Sequence, residues 1–151
     1  ADVHFVYAGD HDVVYEGFYQ RWAHLVDRNR EHVHILGLIT ERQKLANYFG
    51  MCDVFALPSR TDCFPSVQIE AMLCETPVVT TDIPGAREAV KASGAGLLVR
   101  SEDEEALAEG LLRVLEEPAG WAKTRGQVRS VFSTAQTVEA YEGLLRELVA
   151  E

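Results

Sequence analysis

The segment from Pro58 to Glu75 decides the fold, and it reads PSRTDCFPSVQIEAMLCE. A short apolar run, Val54 to Leu57, precedes it, and helix-forming residues follow Pro65. This order predicts a strand, a loop and a helix. Because proline is favoured at the first helical position, where its missing N–H costs the helix nothing, we expect the helix to begin at Pro65.

The amino end of this helix is a candidate anion site. Unpaired backbone N–H groups and the positive end of the helix dipole suit a phosphate there, and the nearest donors belong to Phe64, Ser66 and Val67. Asp62 lies just before this end and Glu70 lies roughly 7 to 8 Å further along the axis. Carboxylates accept hydrogen bonds from a diol, so a nucleotide sugar fits. The same spacing has an alternative explanation without a ligand. Asp62 would then only cap the loop, and Glu70 would be an ordinary surface residue of an amphipathic helix.

These residues belong to a longer series of motifs. Asp62 and Glu70 are separated by seven residues, and further matches follow in order at Phe64-Pro65, Glu70-Ala71-Met72, Thr76 to Asp82, Ile83 to Glu88 and Gly96 to Val99. The series resembles the signature of retaining glycosyltransferases of the GT-B type (glycosyl transferases group 1, family 4). The resemblance covers roughly Val3 to Glu117, and it is to the C-terminal, donor-binding domain only.

Two positions depart from the pattern of this family. Asp62 stands where the family more often has Glu, which shortens the side chain by one methylene. Glu75 stands where a Gly is usual before Thr-Pro, and Gly takes the left-handed conformation cheaply at the end of a helix. Either Glu75 adopts that conformation at some cost, or the helix ends differently.

The resemblance implies transfer of a sugar, with retention, from a nucleotide sugar such as a UDP- or GDP-sugar to an acceptor hydroxyl. Glu70 would hold the ribose hydroxyls, and Asp62 would contact the donor sugar; these two are the candidate catalytic residues. No metal or other cofactor is expected. The candidate nucleotide-sugar-binding residues follow two strands: Gly37, Leu38, Ile39, Cys63, Phe64, Pro65, Ser66, Val67 and Glu70.

Two other functions fit parts of the sequence. A nucleotide-binding module of the same fold without catalysis is the alternative, because Asp62 is short. A hydrolase using Asp62 and Glu70 is less favoured. The two carboxyl groups of a glycosidase face each other across one bond, whereas Asp62 and Glu70 are expected to lie on either side of a diphosphate.

The sequence predicts strands that alternate with helices over residues 3–99, and helices alone after them. Expected strands at 3–8, 33–36, 54–57, 78–81 and 97–99 predict an α/β fold, a Rossmann-like parallel sheet with helices on both faces. Residues 1–151 are expected to form one nucleotide-sugar-binding domain, with a core at 1–130 and a C-terminal helix at 131–151. Ser101 with Glu104 is expected to form a capping box, and Asp82 and Asp103 are interpreted as helix caps.

The first strand of the resembled domain, with its diphosphate-binding Arg and Lys-Gly, is not found before Val3. We therefore expect a fragment of a longer enzyme, inactive alone because the N-terminal acceptor domain, its natural partner, is absent. By analogy the missing strand would lie between the strands at 3–8 and 54–57. Their exposed edges lead us to expect self-association of the isolated chain.

Composition narrows the class of protein further. The 24 acidic against 14 basic side chains argue against nucleic acid as a partner. Three cysteines show no metal spacing and are expected to be reduced thiols, and none of the five histidines shows a ligand pattern, since His32 and His34 alternate across a predicted strand. We expect a cytoplasmic location, with any peripheral membrane contact made through the missing domain.

Overall fold

The structure, a computed structural model, describes residues 2–9 and 18–150 of the chain. The chain is divided into two compact units, residues 1–45 and residues 46–151. Both are built from parallel strands connected through helices, so the predicted α/β, Rossmann-like fold is confirmed.

The first unit contains a two-stranded parallel sheet. Its elements are β1 (Phe5–Ala8), α1 (Phe18–Arg28) and β2 (Val33–Gly37). Phe5 pairs with Val33 and Ala8 with Gly37, with an irregularity between Tyr7 and Ala8. The spacing of apolar residues predicts a helix from Val13 to Arg28. α1 agrees with this prediction from residue 18 onward, and residues 13–17 lie outside the described residues.

The second unit is organised around a three-stranded parallel sheet in the order β3-β4-β5. The helix α2 (Arg42–Met51) crosses the boundary between the two units in the sequence, because its residues 42–45 belong to the first unit and its residues 46–51 to the second. The remaining elements are β3 (Phe55–Leu57), α3 (Ser66–Leu73), β4 (Val78–Thr81), α4 (Ala86–Ser93), β5 (Gly96–Val99), α5 (Glu104–Glu116), α6 (Pro118–Trp121), α7 (Arg125–Val131) and α8 (Thr134–Ala150).

Strand β4 is the centre of the second unit. All four of its residues are buried, and successive side chains of a strand point to opposite faces, so both faces of the sheet are covered here. Val79 packs with Val99 of β5 and Val114 of α5. Burial of one such side chain contributes about 1.5–3 kcal/mol. The strand predicted at 78–81 is therefore confirmed.

The two strands expected to border the missing strand are edge strands. Within the described residues, β1 pairs only with β2, and β3 pairs only with β4. In the first unit, Phe5 and Tyr7 of β1 keep 55% and 48% of their surface exposed. The expected self-association of the chain stays a prediction.

Several predicted helix starts were wrong by a few residues. Pro65 has φ −71° and ψ 102°, which is extended backbone, so it is the N-cap and α3 begins at Ser66. Asp103, and not Ser101, caps α5, because its side chain accepts a hydrogen bond from the N–H of Ala106 at 2.8 Å. The cap predicted for Asp103 is confirmed.

Asp82 does not cap the following helix. The N-cap of α4 is Gly85, which has no side chain to cap with. Asp82 instead pairs with Arg87, with Oδ1 and Nη1 3.3 Å apart. The carboxylate of Asp82 therefore forms an ion pair with the guanidinium of Arg87, which lies in the first turn of α4.

The turn after α3 shows why Glu replaces Gly at position 75. Glu75 adopts a left-handed conformation with φ 66°, which costs about 1–2 kcal/mol for a residue with a side chain. Its Oε1 accepts a hydrogen bond from the N–H of Arg125 at 3.0 Å, and Arg125 Nε donates to the carbonyl of Leu73 at 2.9 Å. The two contacts join the carboxyl end of α3 to the amino end of α7 and offset the strain.

The last helix, α8, carries an apolar stripe that is open to solvent. Val138, Tyr141, Leu144, Leu145 and Leu148 are all at least half exposed. In the part of the chain that the structure describes, no helix is long and apolar enough to cross a bilayer.

Candidate functional site

Two loops meet at one edge of the three-stranded sheet. The loop at 58–65 leaves the carboxyl end of β3, and the loop at 82–85 leaves the carboxyl end of β4. Because β3 and β4 are neighbouring parallel strands, both loops lie at the same edge. Open α/β sheets bind their ligands in the crevice outside the carboxyl ends of the strands.

Two threonines of β4 hold the start of the longer loop. The hydroxyl of Thr80 donates to the carbonyl of Leu57 at 2.9 Å, and that of Thr81 donates to the carbonyl of Ser59 at 2.5 Å. Both threonines are buried, so these bonds fix the backbone where β3 becomes the loop. Sequence reasoning assigned neither residue a role, although two hydroxyls in a buried strand signal specific partners.

Gly85 brings the two loops into direct contact. A Cβ atom at this position would overlap with the carbonyl oxygens of Asp62 and Cys63. The φ of −47° and ψ of −49° are ordinary helical values, so glycine is required here for space and not for conformation. The close approach places the Asp62 backbone against the first turn of α4.

The amino end of α3 has free backbone donors. Pro65 provides no side-chain cap, and among the described residues the N–H groups of Ser66 and Val67 have no acceptor. The N–H of Gln68 bonds to the carbonyl of Pro65 at 3.3 Å. Two of the three predicted donors therefore lie in the first turn of the helix, and Phe64 precedes it with half of its surface exposed.

Gln68 connects this turn to the neighbouring helix. Its side chain is fully buried, and Nε2 donates to the carbonyl of Ala86 at 2.8 Å. Its Oε1 has no hydrogen-bond partner among the described residues. The amide fixes α3 to the first turn of α4, a long-range contact that the local sequence does not encode.

Both candidate catalytic carboxylates are available to a ligand. Asp62 and Glu70 are exposed, and neither forms an ion pair or hydrogen bond with a described residue. In contrast, Arg87 pairs with Glu88 at 3.2 Å and with Asp82 at 3.3 Å, and the hydrogen bonds that its guanidinium donates to these two carboxylates raise its pKa. The unpaired acidic groups can accept hydrogen bonds from hydroxyls.

The predicted contacts to the base lie in the first unit. Gly37 is the last residue of β2, with φ 72°, and its carbonyl accepts a hydrogen bond from Gly9 N at 2.9 Å. Leu38 follows with 74% of its surface exposed, and Ile39 comes next. Their position after the carboxyl end of a strand is as expected, and their role stays a prediction.

Of the cysteines, Cys63 is exposed in the loop, while Cys52 and Cys74 are half-buried, and all three are free thiols, as expected. Burial raises the pKa of Cys52, and the charge of Asp53 adds to this effect.

The arrangement of the strands and loops is that of GT-B glycosyltransferases. Sucrose-phosphate synthase from Thermosynechococcus elongatus superposes with a TM-score of 0.75 and 32% identity, over 96% of this chain and 38% of that chain. HepE of Anabaena, solved in complex with UDP, gives a TM-score of 0.79 at 24% identity, over 96% of this chain and 41% of that chain.

The family model of the glycosyl transferases group 1 matches residues 1–117, and the chain belongs to this family. Among curated relatives, the D-inositol 3-phosphate glycosyltransferase of Saccharomonospora viridis is 35% identical over 111 residues, which is 72% of this chain and 26% of the relative. That of Mycolicibacterium smegmatis is 35% identical over 100 residues, 66% of this chain and 23% of the relative. The chain thus spans about a quarter of these relatives.

Proposed function

We propose that the chain is the donor-binding domain of a retaining glycosyltransferase that moves a sugar from a nucleotide sugar to an acceptor hydroxyl. One observation carries the proposal. Asp62, which precedes the uncapped amino end of α3, and Glu70, in the second turn of this helix, carry exposed and unpaired carboxylates in the segment that leaves the carboxyl end of β3.

The known relatives support a nucleotide sugar as the ligand. HepE has been solved with UDP and with UDP-glucose, and the curated relatives are named D-inositol 3-phosphate glycosyltransferases. We propose a nucleoside diphosphate sugar as the donor, with the acceptor bound by an N-terminal domain of the longer enzyme. The isolated chain would then bind the donor without completing the transfer.

The proposed roles follow from the chemistry of each group. The N–H groups of Ser66 and Val67, with Phe64 before them, bind the diphosphate and stabilise the charge that develops as it leaves. Glu70, about one helical turn beyond Ser66, accepts hydrogen bonds from the ribose. Asp62 accepts them from hydroxyls of the sugar and orients the anomeric carbon. In this proposal no metal is needed, because backbone dipoles stabilise the phosphates.

Gly37, Leu38 and Ile39 are proposed as contacts of the base, on the ground of their position after β2. Cys63 and Pro65 are proposed to line the site through their backbone.

A nucleotide-binding panel tests the proposal. UDP, GDP and ADP are titrated into the chain by calorimetry, and thermal unfolding is followed in parallel. A ligand at a hundredfold excess over Kd stabilises the folded state by about 2.7 kcal/mol. We expect one nucleotide to bind, and Glu70→Gln, which keeps the size of the side chain, to weaken it at least tenfold. Glu109→Gln, at an exposed position of α5, is the matched control.

The panel also separates the alternatives. A chain that binds none of the three nucleotides, or a Glu70→Gln variant that binds as tightly as the wild type, contradicts the proposed site. In the full-length enzyme, Asp62→Glu is expected to keep or raise transfer. Binding without transfer in both forms would identify a nucleotide-binding module instead.

A further inference from the structure

Three imidazoles and one carboxylate gather at the amino ends of β1 and β2. His4 directly precedes β1, His32 directly precedes β2, and His34 is the second residue of β2. The N–H of Phe5 bonds to the carbonyl of His32 at 2.7 Å, so the ladder of hydrogen bonds reaches the start of both strands. With Asp2, these three histidines form what we call the histidine cluster.

All four side chains lie on the same face of the strand pair. The ring of His4 lies 5.1 Å from that of His32 and 5.2 Å from that of His34, from centroid to centroid. Asp2 approaches both His4 and His32. The interpretation that His32 and His34 alternate across the strand was therefore wrong. The parallel register, with Phe5 opposite Val33, places His4 opposite His32 and brings the two pairs together.

The distances within the cluster fit a small cation. Asp2 Oδ1 lies 3.6 Å from His4 Nε2 and 3.5 Å from His32 Nδ1. One donor atom from each of these three residues lies within 4.8 Å of the others. A tetrahedral ion with ligands at about 2.0–2.1 Å holds neighbouring donor atoms about 3.4 Å apart. The two observed separations from Asp2, 3.5 and 3.6 Å, are close to this value.

His34 has a separate role, because it contacts the other nitrogen of His4. The distance from His4 Nδ1 to His34 Nε2 is 3.0 Å, and the two rings are stacked with centroids 5.2 Å apart. An imidazole that binds an ion through Nε2 keeps its proton on Nδ1 and donates it to an acceptor, which fixes the tautomer and the ring orientation. His34 Nε2 is placed to be that acceptor.

We propose that Asp2, His4 and His32 bind a divalent transition-metal ion, with His34 orienting His4 and water completing the coordination. Imidazole ligands favour ions such as Zn²⁺ over Mg²⁺ and Ca²⁺, which prefer oxygen. The side chains of His4 and His32 are 45% and 46% exposed, so an ion can enter from solvent. The bound ion links the start of β1 to the start of β2 and shares no residue with the candidate donor site.

Zinc titration of the untagged, metal-free 151-residue chain tests the proposal. Calorimetry is expected to give one Zn²⁺ per chain, and Co²⁺ is expected to give the visible absorption of a tetrahedral site. Asp2→Asn, His4→Gln and His32→Gln each lower the affinity at least a hundredfold. His34→Gln lowers it 10- to 100-fold, as is typical when the partner of a metal ligand is removed.

His24→Gln is the matched control, because His24 is exposed on α1 and outside the cluster. Circular dichroism of each metal-free variant verifies the fold, and the ligand-position variants are expected to lose the Zn²⁺-dependent rise in Tm. A chain that binds no Zn²⁺ overturns the proposal. So does an affinity that is unchanged in the His4→Gln and His32→Gln variants, or one that falls equally in His24→Gln.

Discussion

Replacing Gly85 by Ala tests whether the contact between the two loops builds the donor site. A Cβ at position 85 would overlap with the carbonyl oxygens of Asp62 and Cys63. These are backbone atoms, so the strain cannot be relieved by a rotating side chain. The φ and ψ of Gly85 are accessible to Ala, and at such a position Ala by itself would stabilise the chain by about 0.4–1 kcal/mol. Any loss of stability must therefore be steric.

The expected loss can be derived from these opposing effects. Overpacking of a tight contact costs about 1–3 kcal/mol and occasionally more, and the conformational gain offsets part of it. We expect the free energy of unfolding of Gly85→Ala to fall by about 1–2 kcal/mol, measured by urea unfolding. The loop must move by about an ångström, and a displacement of that size can cost a hundredfold in a positioned site. Nucleotide affinity should fall at least tenfold.

Gly50→Ala is the control for this experiment. Gly50 lies in α2, and a Cβ there would meet nothing within 4 Å, so the substitution should stabilise the chain by about 0.5–1 kcal/mol. If Gly85→Ala unfolds at the same urea concentration as Gly50→Ala, the close contact between the loops does not exist. If its stability falls while nucleotide affinity stays unchanged, the contact is structural and does not position Asp62.

Substitutions at two further positions, Glu75 and Asp103, test local features of the fold. Glu75→Ala keeps the left-handed backbone and loses the hydrogen bond to Arg125, so urea unfolding should show a loss of about 1 kcal/mol. Glu75→Gly loses the same bond but relieves about 1 kcal/mol of strain, and equal stability of the two variants would argue against the left-handed turn. The N–H of Ala106, with Arg100, holds the pKa of Asp103 below its usual value, so this cap stabilises the fold above pH about 4 and is lost as the pH falls through the lowered pKa. Asp103→Ala should lower Tm at pH 7, with a gap from the wild type that closes in acid; a gap independent of pH would contradict the charged cap.

The order of the strands and helices was predictable because local sequence features mark where each element begins and ends. The run at 78–81 gave β4 with its bounds correct, since all four residues are β-branched and such residues are enriched in strands. The α3 helix was wrong only at its start, because the φ of −71° at Pro65 suits both an N-cap and a first helical residue. The extended ψ that separates these two states depends on the loop packed around it.

The contacts that shape the site were not predictable, because they join residues far apart in sequence. Gln68 reaches Ala86, and Thr81 reaches Ser59 across 22 positions. The histidine cluster was not predictable for the same reason. His4 and His34 are separated by 30 positions and meet only because their two strands pair in this register. Hydrophobic periodicity determines which face a residue occupies, but the pairing of strands determines its neighbours.

The charges around the candidate site also follow a physical logic. The chain has a net charge of −10, and Arg87 is held by Asp82 and Glu88, yet the proposed ligand carries a diphosphate. In the proposed complex the neutral N–H donors at the amino end of α3 therefore hold the phosphates. Hydroxyls of the sugar and the ribose that lie between the carboxylates and the diphosphate would reduce the repulsion between these like charges. A nucleotide sugar provides such hydroxyls on both sides of its diphosphate, whereas free phosphate has no hydroxyls to offer the two carboxylates.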